Sequence, residues 1–262
     1  MRMKSCFPYK VRKTGKAPRI SQMEHSRRYS SKRVVDYFIV VGAAHNELQR
    51  IEEDSSGNEF EKGPPSLRSP FHPFVTDRYP QEDRPDEELP EGIQLFCLPN
   101  GVQLVEAPRR PTLHSFVHTN PMGEHLQGCC LTFYELITAG QRASIVAMLS
   151  PGTAIPEHLY APRCLCLVSH SCFPASFKKV LCGLYHQHFL QSAIPIERYI
   201  CNLIDDVPAP SAARVDVTFY FGEQPVTFKC PPANEPQVGF PSLWCLFPTL
   251  WWFSLILQNP QH

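Results

Sequence analysis

Hydrophobic and polar positions alternate or cluster along this chain in a way that predicts several short elements rather than a long repeat. Val34 to Gly42 is apolar and rich in β-formers, predicting a buried strand that Gly42 stops. Residues 1–32 lack periodicity and read as loose. Residues 43–90 are polar, acidic and proline-rich, predicting a surface insertion, with Arg78-Tyr79-Pro80 returning the chain to order. Ile93 to Leu98, the turn Pro99-Asn100-Gly101 and Val102 to Val105 predict a hairpin, because Asn-Gly supplies the positive φ such turns need. His114 to Thr119, a turn at Asn120 to Gly123, and Leu126 to Tyr134 predict two further antiparallel strands. Glu135 to Leu149 predicts a helix, and residues 150–162 a linker.

Beyond it, Cys164 to Ser169 predicts a short apolar strand. Phe173-Pro174 opens a helix, with proline tolerated in the first turn. Its apolar stripe is Phe177, Val180, Leu181, Leu184, Tyr185 and Phe189. Pro195 opens a second helix, with Ile196, Tyr199, Ile200 and Leu203 inward, and Val207-Pro208-Ala209-Pro210 ends it. Arg214 to Phe221 alternates Val215, Val217, Phe219 and Phe221 with polar positions, a half-buried strand. Gly222-Glu223 turns it into Val226 to Phe228.

Composition narrows the function classes. A chain of 262 residues with net charge +0 holds a core and gives no bulk electrostatic case for nucleic acid. Charge is uneven all the same. Residues 1–33 carry many Lys and Arg against a single acid, Glu24, while residues 47–91 are acidic. The basic arm reads as a solvated, disordered tail; anionic lipid or a mitochondrial importer is the sharper alternative. The odd count of 11 cysteines, with no apolar amino-terminal segment, points to free thiols in a reducing compartment. Cysteines inside apolar runs, such as Leu165-Cys166-Leu167, act as small hydrophobes.

Candidate chemistry is thin. Cys164, Cys166, His170, Cys172, Cys182, His186 and His188 are zinc-type ligands, but their spacing matches no zinc finger, and packing is the preferred reading. Ser169-His170-Ser171 lacks a nucleophile elbow. Neither a P-loop nor a Gly-x-Gly-x-x-Gly fingerprint is present, so no bound nucleotide, metal or other cofactor is expected, and no catalytic residue is assigned. Asp205-Asp206 reads as a solvated helix end, with a cation or a basic partner as the alternative.

The order of these segments resembles the DENN module, a family of exchange factors for Rab GTPases. The matches run through Asp36-Tyr37-Phe38-Ile39-Val40, Arg78-Tyr79-Pro80-Gln81-Glu82-Asp83, Phe96-Cys97-Leu98-Pro99-Asn100-Gly101 and Leu131-Thr132-Phe133-Tyr134-Glu135. They continue through Pro162 to Ser169, Pro195-Ile196-Glu197-Arg198-Tyr199-Ile200 and Val207-Pro208-Ala209-Pro210. The resemblance implies an α+β and α/β fold, with a longin-like antiparallel sheet followed by an incomplete α/β central lobe. It implies an upstream lobe at 33–149, with the insertion 43–90, and a partial central lobe at 163–237. A Rab-family GTPase is the implied partner, with nucleotide release promoted in membrane traffic and no covalent step. The implied location is the cytoplasm, with peripheral contact to vesicle or endosomal membranes. A non-catalytic interaction module and an inactive splice fragment are the alternatives, together with a misfolding-prone truncation.

Residues 238–262 do not resemble the family and are expected to be a divergent apolar tail on a truncated product. Pro248 interrupts this run, which is shorter than the roughly 20 residues a bilayer-spanning helix needs. A membrane-interface anchor using Trp244, Trp251 and Trp252 and a tail folded into the core are the alternatives.

Overall fold

A computed structural model of the chain describes residues 10–13, 33–44, 70–84, 88–120, 123–148, 155–171, 173–189, 194–210, 215–222 and 224–229. All of them fall in one compact unit, 1–230; the expected tail at 238–262 lies outside the described residues.

Tyr37–Gly42 (β2), Phe74–Tyr79 (β3), Thr112–Thr119 (β4), His125–Leu136 (β5) and Tyr160–Ser169 (β6) form a five-stranded sheet in the order β3-β2-β6-β5-β4. Every neighbouring pair is antiparallel. Lys10–Lys13 (β1), Val215–Phe221 (β7) and Gln224–Phe228 (β8) form a second antiparallel sheet in the order β1-β7-β8.

The central strands β2, β6 and β5 bury both faces, which is why their sequences read as continuous apolar runs. On one face, Tyr37, Ile39, Val41, Cys130, Cys166 and Val168 form a core with Ile93 and Cys97 of α1 (Ile93–Cys97) and Ile145 of α2 (Ala139–Met148). On the other, Phe38, Val40, Leu131, Phe133, Leu165 and Leu167 meet Phe177, Val180, Leu181 and Leu184 of α3 (Pro174–Phe189). The same core takes in Tyr199 and Ile200 of α4 (Ile196–Cys201), and Val217, Phe219, Phe221, Val226 and Phe228 of the second sheet. The molecule is therefore a longin-like antiparallel sheet flanked by helices, followed by a mixed α/β region.

Several elements differ from the sequence reading. The predicted hairpin at 93–105 is instead a helical turn. Ile93 and Cys97 lie one turn apart and both face the core, so helical spacing wins over the strand reading of a short apolar run. Gly101 does take the positive φ of 65° that the turn demanded. The residues after Gly101 pair elsewhere: Val102 with Phe71, and Val105 with Tyr160.

Within the predicted insertion 43–90, Phe74–Tyr79 forms a strand on β2. It sits at the edge of the sheet, and its mostly half-exposed residues hide the alternation that marks a strand. Lys10–Lys13 of the expected loose arm runs antiparallel to β7; the rest of 1–32 lies outside the described residues.

The helix predicted from Glu135 begins only at Ala139, since Glu135 and Leu136 extend β5 against Ala161 and Tyr160. A reciprocal capping box sets the start. The Gln141 backbone N–H donates to Thr138 Oγ1 at 3.2 Å, and the Thr138 N–H donates to Gln141 Oε1 at 3.0 Å.

The strand expected to open a second lobe at Cys164 sits at the centre of the first sheet. Cys166 lies between Ile39 of β2 and Cys130 of β5. The stretch read as a linker accordingly ends in the first residues of β6. No helix among the described residues is long and apolar enough to cross a membrane.

Candidate functional site

The motifs that run separately along the sequence converge at one end of the five-stranded sheet. Antiparallel pairing brings the start of β2 beside the ends of β3 and β6: Phe38 lies opposite Tyr79, and Tyr37 opposite Val168. The chain after α4 closes over this end. Asn202–Asp206 winds as a π-helix, a rare form that occurs mostly as single turns, often at functional sites. Val207 then accepts a hydrogen bond from the Val34 N–H at 3.3 Å.

Asp36 anchors the inner layer. Its side chain is buried, and its Oδ2 accepts both the His170 backbone N–H and His170 Nδ1, each at 3.0 Å. A carboxylate only accepts, so the His170 proton sits on Nδ1 in this contact. Arg33 Nε stands 3.9 Å from Asp36 Oδ1. Beside it, Ser169 Oγ donates to the Val34 carbonyl at 2.7 Å and accepts the Ser171 N–H at 2.9 Å. Ser169 is fully buried with both hydrogen-bonding roles taken, so it braces the strand end rather than presenting a nucleophile.

The outer layer is built on Asp83 and Asp205. Asp83 Oδ1 accepts from Arg78 Nη2 at 2.7 Å, from the Leu89 N–H at 3.2 Å and from the Tyr37 hydroxyl at 3.4 Å. The Leu89 amide and then the Arg78 guanidinium hold its carboxyl below the usual carboxylate range. Arg78 also lies over the Tyr37 ring, 5.5 Å from its centre. The Arg84 N–H donates to the Tyr37 hydroxyl at 3.1 Å. Burial is the main reason the Tyr37 phenol is raised above its ordinary value.

Asp205 joins the π-turn to this layer. Its Oδ2 accepts the Tyr79 hydroxyl at 2.5 Å, and its Oδ1 accepts Arg84 Nη2 at 3.1 Å. Burial first, then the bond to Asp205, pushes the Tyr79 phenol well above the ordinary tyrosine range. An acid at a helix end that favours cations is a local cost, and the Arg84 guanidinium offsets it. Asp205, read from the sequence as part of a solvated helix end, is thus paired within the chain. Arg84 Nε and Asn202 Nδ2 are buried without a hydrogen-bond partner among the described residues, each costing about 1–3 kcal/mol. The junction is therefore less than fully satisfied, unlike the capped start of α2.

The other sequence candidates separate. Cys164 and Cys166 face the core under α1, whereas Cys182 packs against the core under α3 on the opposite side of the sheet. His170 pairs with Asp36, and His188 Nε2 lies 3.3 Å from Glu135 Oε1. His186 is exposed, and Cys172 lies outside the described residues. Sequence reasoning missed Arg84 altogether, and missed the link from Tyr79 to Asp205. Nothing local signals a contact between positions so far apart.

The arrangement braces two parts of the chain into one polar surface; it aligns no nucleophile with a base. No solved structure matches the chain. The model of the uDENN domain matches residues 73–133, and that of the DENN (AEX-3) domain matches residues 160–252. The first match ends within β5 and the second begins at β6, so the two models divide a sheet that is continuous in space. The second runs to residue 252, so it takes in part of 238–262, which the sequence reading held not to resemble the family. Together the matches take in more than half of the chain. The chain is a member of the DENN-domain family.

Proposed function

We propose that this chain acts as a guanine-nucleotide exchange factor for a Rab-family GTPase. DENN domains are in general Rab exchange modules. The observation that carries the reading is the succession of a uDENN and a DENN domain in one chain. Such a protein performs no covalent chemistry. It binds the nucleotide-free GTPase more tightly than the loaded form, and that difference in affinity lowers the barrier to GDP release. The junction through Asp36, Tyr79, Arg84 and Asp205 supports this reading, because a surface that grips a partner needs its parts held in one arrangement before contact.

The upstream lobe at 33–149 and the central lobe at 163–237 serve in this reading as two parts of one partner-binding body. The working location is the cytoplasmic side of vesicle or endosomal membranes, where Rab proteins are the substrate. The test is the affinity of the full chain for a panel of Rab proteins, each measured nucleotide-free and GDP-loaded. A preference of at least roughly tenfold for one nucleotide-free Rab supports the proposal. Equal affinity for both forms supports a non-catalytic interaction module instead, and binding to none contradicts both.

A further inference from the structure

Four cysteines scattered along the sequence meet beneath α1. Cys97 is the last residue of that helix, Cys130 lies on β5, and Cys164 and Cys166 lie two apart on one face of β6. All four are completely buried free thiols. Cys130 and Cys166 are direct cross-strand partners. The Sγ atoms of Cys97, Cys130 and Cys164 all lie within 4.8 Å of one another. Action as small hydrophobes explains the burial of each residue, but it does not require three sulfurs from three elements to converge.

His114 stands at the edge of this group. It lies on β4 as the cross-strand partner of Cys130, on the same face, and is half-buried. Its Nε2 lies 3.2 Å from the Phe96 carbonyl oxygen. A carbonyl only accepts, so Nε2 donates in this contact and Nδ1 is the nitrogen left for a metal. This is the state of a metal-bound histidine, whose other nitrogen donates to a backbone carbonyl or a carboxylate.

We propose that Cys97, Cys130 and Cys164 form a thiolate site for one soft divalent cation of the zinc class, with His114 completing the tetrahedron. Zinc–sulfur bonds of about 2.3 Å bring tetrahedral sulfurs to within about 4 Å of one another, so the three sulfurs need only a small contraction, while His114, whose ring lies outside this 4.8 Å group, must turn inward to complete the site. Three thiolates and a neutral imidazole leave one net negative charge around a dication, whereas a fourth thiolate would leave two. In a core lined by Ile39, Val41 and Val168 the lower charge is favoured, which selects His114 over Cys166. Binding releases the thiol protons to solvent and involves no change of oxidation state. The site lies on the face of the sheet opposite α3 and does not depend on the exchange reading.

The test uses the full chain, purified under reducing conditions and stripped with chelator. Cobalt(II) is titrated in anaerobically, and zinc is then added. The proposal predicts one equivalent bound, a sulfur-to-cobalt charge-transfer band in the near ultraviolet, tetrahedral visible bands, and loss of both on adding zinc. Cys97→Ser should lose most of the charge-transfer intensity, His114→Ala should weaken affinity by at least tenfold, and Cys182→Ser should change nothing. Absence of the charge-transfer band in the unaltered chain, or its persistence in Cys97→Ser, overturns the site. Unchanged affinity in His114→Ala overturns the fourth ligand. Should Cys97→Ser fail to fold, alkylation of the unaltered chain decides. Saturating zinc must slow modification of Cys97, Cys130 and Cys164 by at least tenfold, and equal rates with and without zinc overturn the proposal.

Discussion

Tyr79, at the end of an edge strand, donates its hydroxyl to Asp205, 126 residues later, on the π-helical turn. This bond ties the portion matched as uDENN to the portion matched as DENN. Removing the hydroxyl in Tyr79→Phe should cost about 1 kcal/mol of stability, measured by urea unfolding at neutral pH. The raised phenol sets the sign of the pH dependence. A phenol held above its ordinary value of 10.0 keeps its proton longer when folded than when unfolded. Its contribution is complete below pH 10 and is lost as pH rises above that value. Tyr79→Phe should therefore show a shallower alkaline loss of stability than the unaltered chain, both measured under reducing conditions. Equal slopes would show that the phenol is not held as described.

Asp36 accepts two hydrogen bonds from His170 while buried beneath the junction. Asp36→Ala leaves the His170 N–H without this acceptor and should cost about 2–3 kcal/mol, because bonds to a charged acceptor are the stronger class. Asp36→Asn keeps one acceptor oxygen and should cost less. Thermal melts of the two variants side by side check the order.

Gly128 lies opposite Phe116 in the β4–β5 pair, and a Cβ placed on it would come 2.2 Å from the Phe116 ring. Gly128→Ala should destabilise the chain by about 1–3 kcal/mol through overpacking. In a Phe116→Ala background the same change should cost less than about 0.5 kcal/mol, since the clash is gone. A double-mutant cycle by denaturant titration reads the coupling directly.

Phe228 closes the second sheet onto α3, fully buried and in edge contact with Phe173, with Phe177 tilted against it. Phe228→Ala should cost about 3–5 kcal/mol. If the second sheet is part of the main core, the variant should melt in one transition shifted to lower temperature. Two separate transitions would mean that β7 and β8 fold apart from the five-stranded sheet.

Local chemistry made some elements legible and left others hidden. Val217, Phe219 and Phe221 alternate with half-buried positions, so β7 could be read directly. The stripe of Phe177, Val180, Leu181 and Leu184 gave α3 for the same reason, since one face is buried at a regular period. Gly101 met the need for positive φ at the predicted turn, yet Val102 found its partner in Phe71, a choice made by tertiary packing. The run Cys164 to Ser169 was visible as a strand, but its place between Ile39 and Cys130 depends on non-local pairing. The edge position of Phe74–Tyr79 concealed it among polar neighbours. Tyr79 and Asp205 stand in separate stretches of sequence, and only the fold brings them together with Arg84.

The most direct test of the central claim is the rate of release of a fluorescent GDP analogue from a panel of Rab proteins, with the full chain present in catalytic amount. The account predicts that release from at least one Rab accelerates by roughly tenfold or more, and that the rate scales with the concentration of the chain. Unchanged release from every Rab tested, by a chain that melts cooperatively, would contradict it.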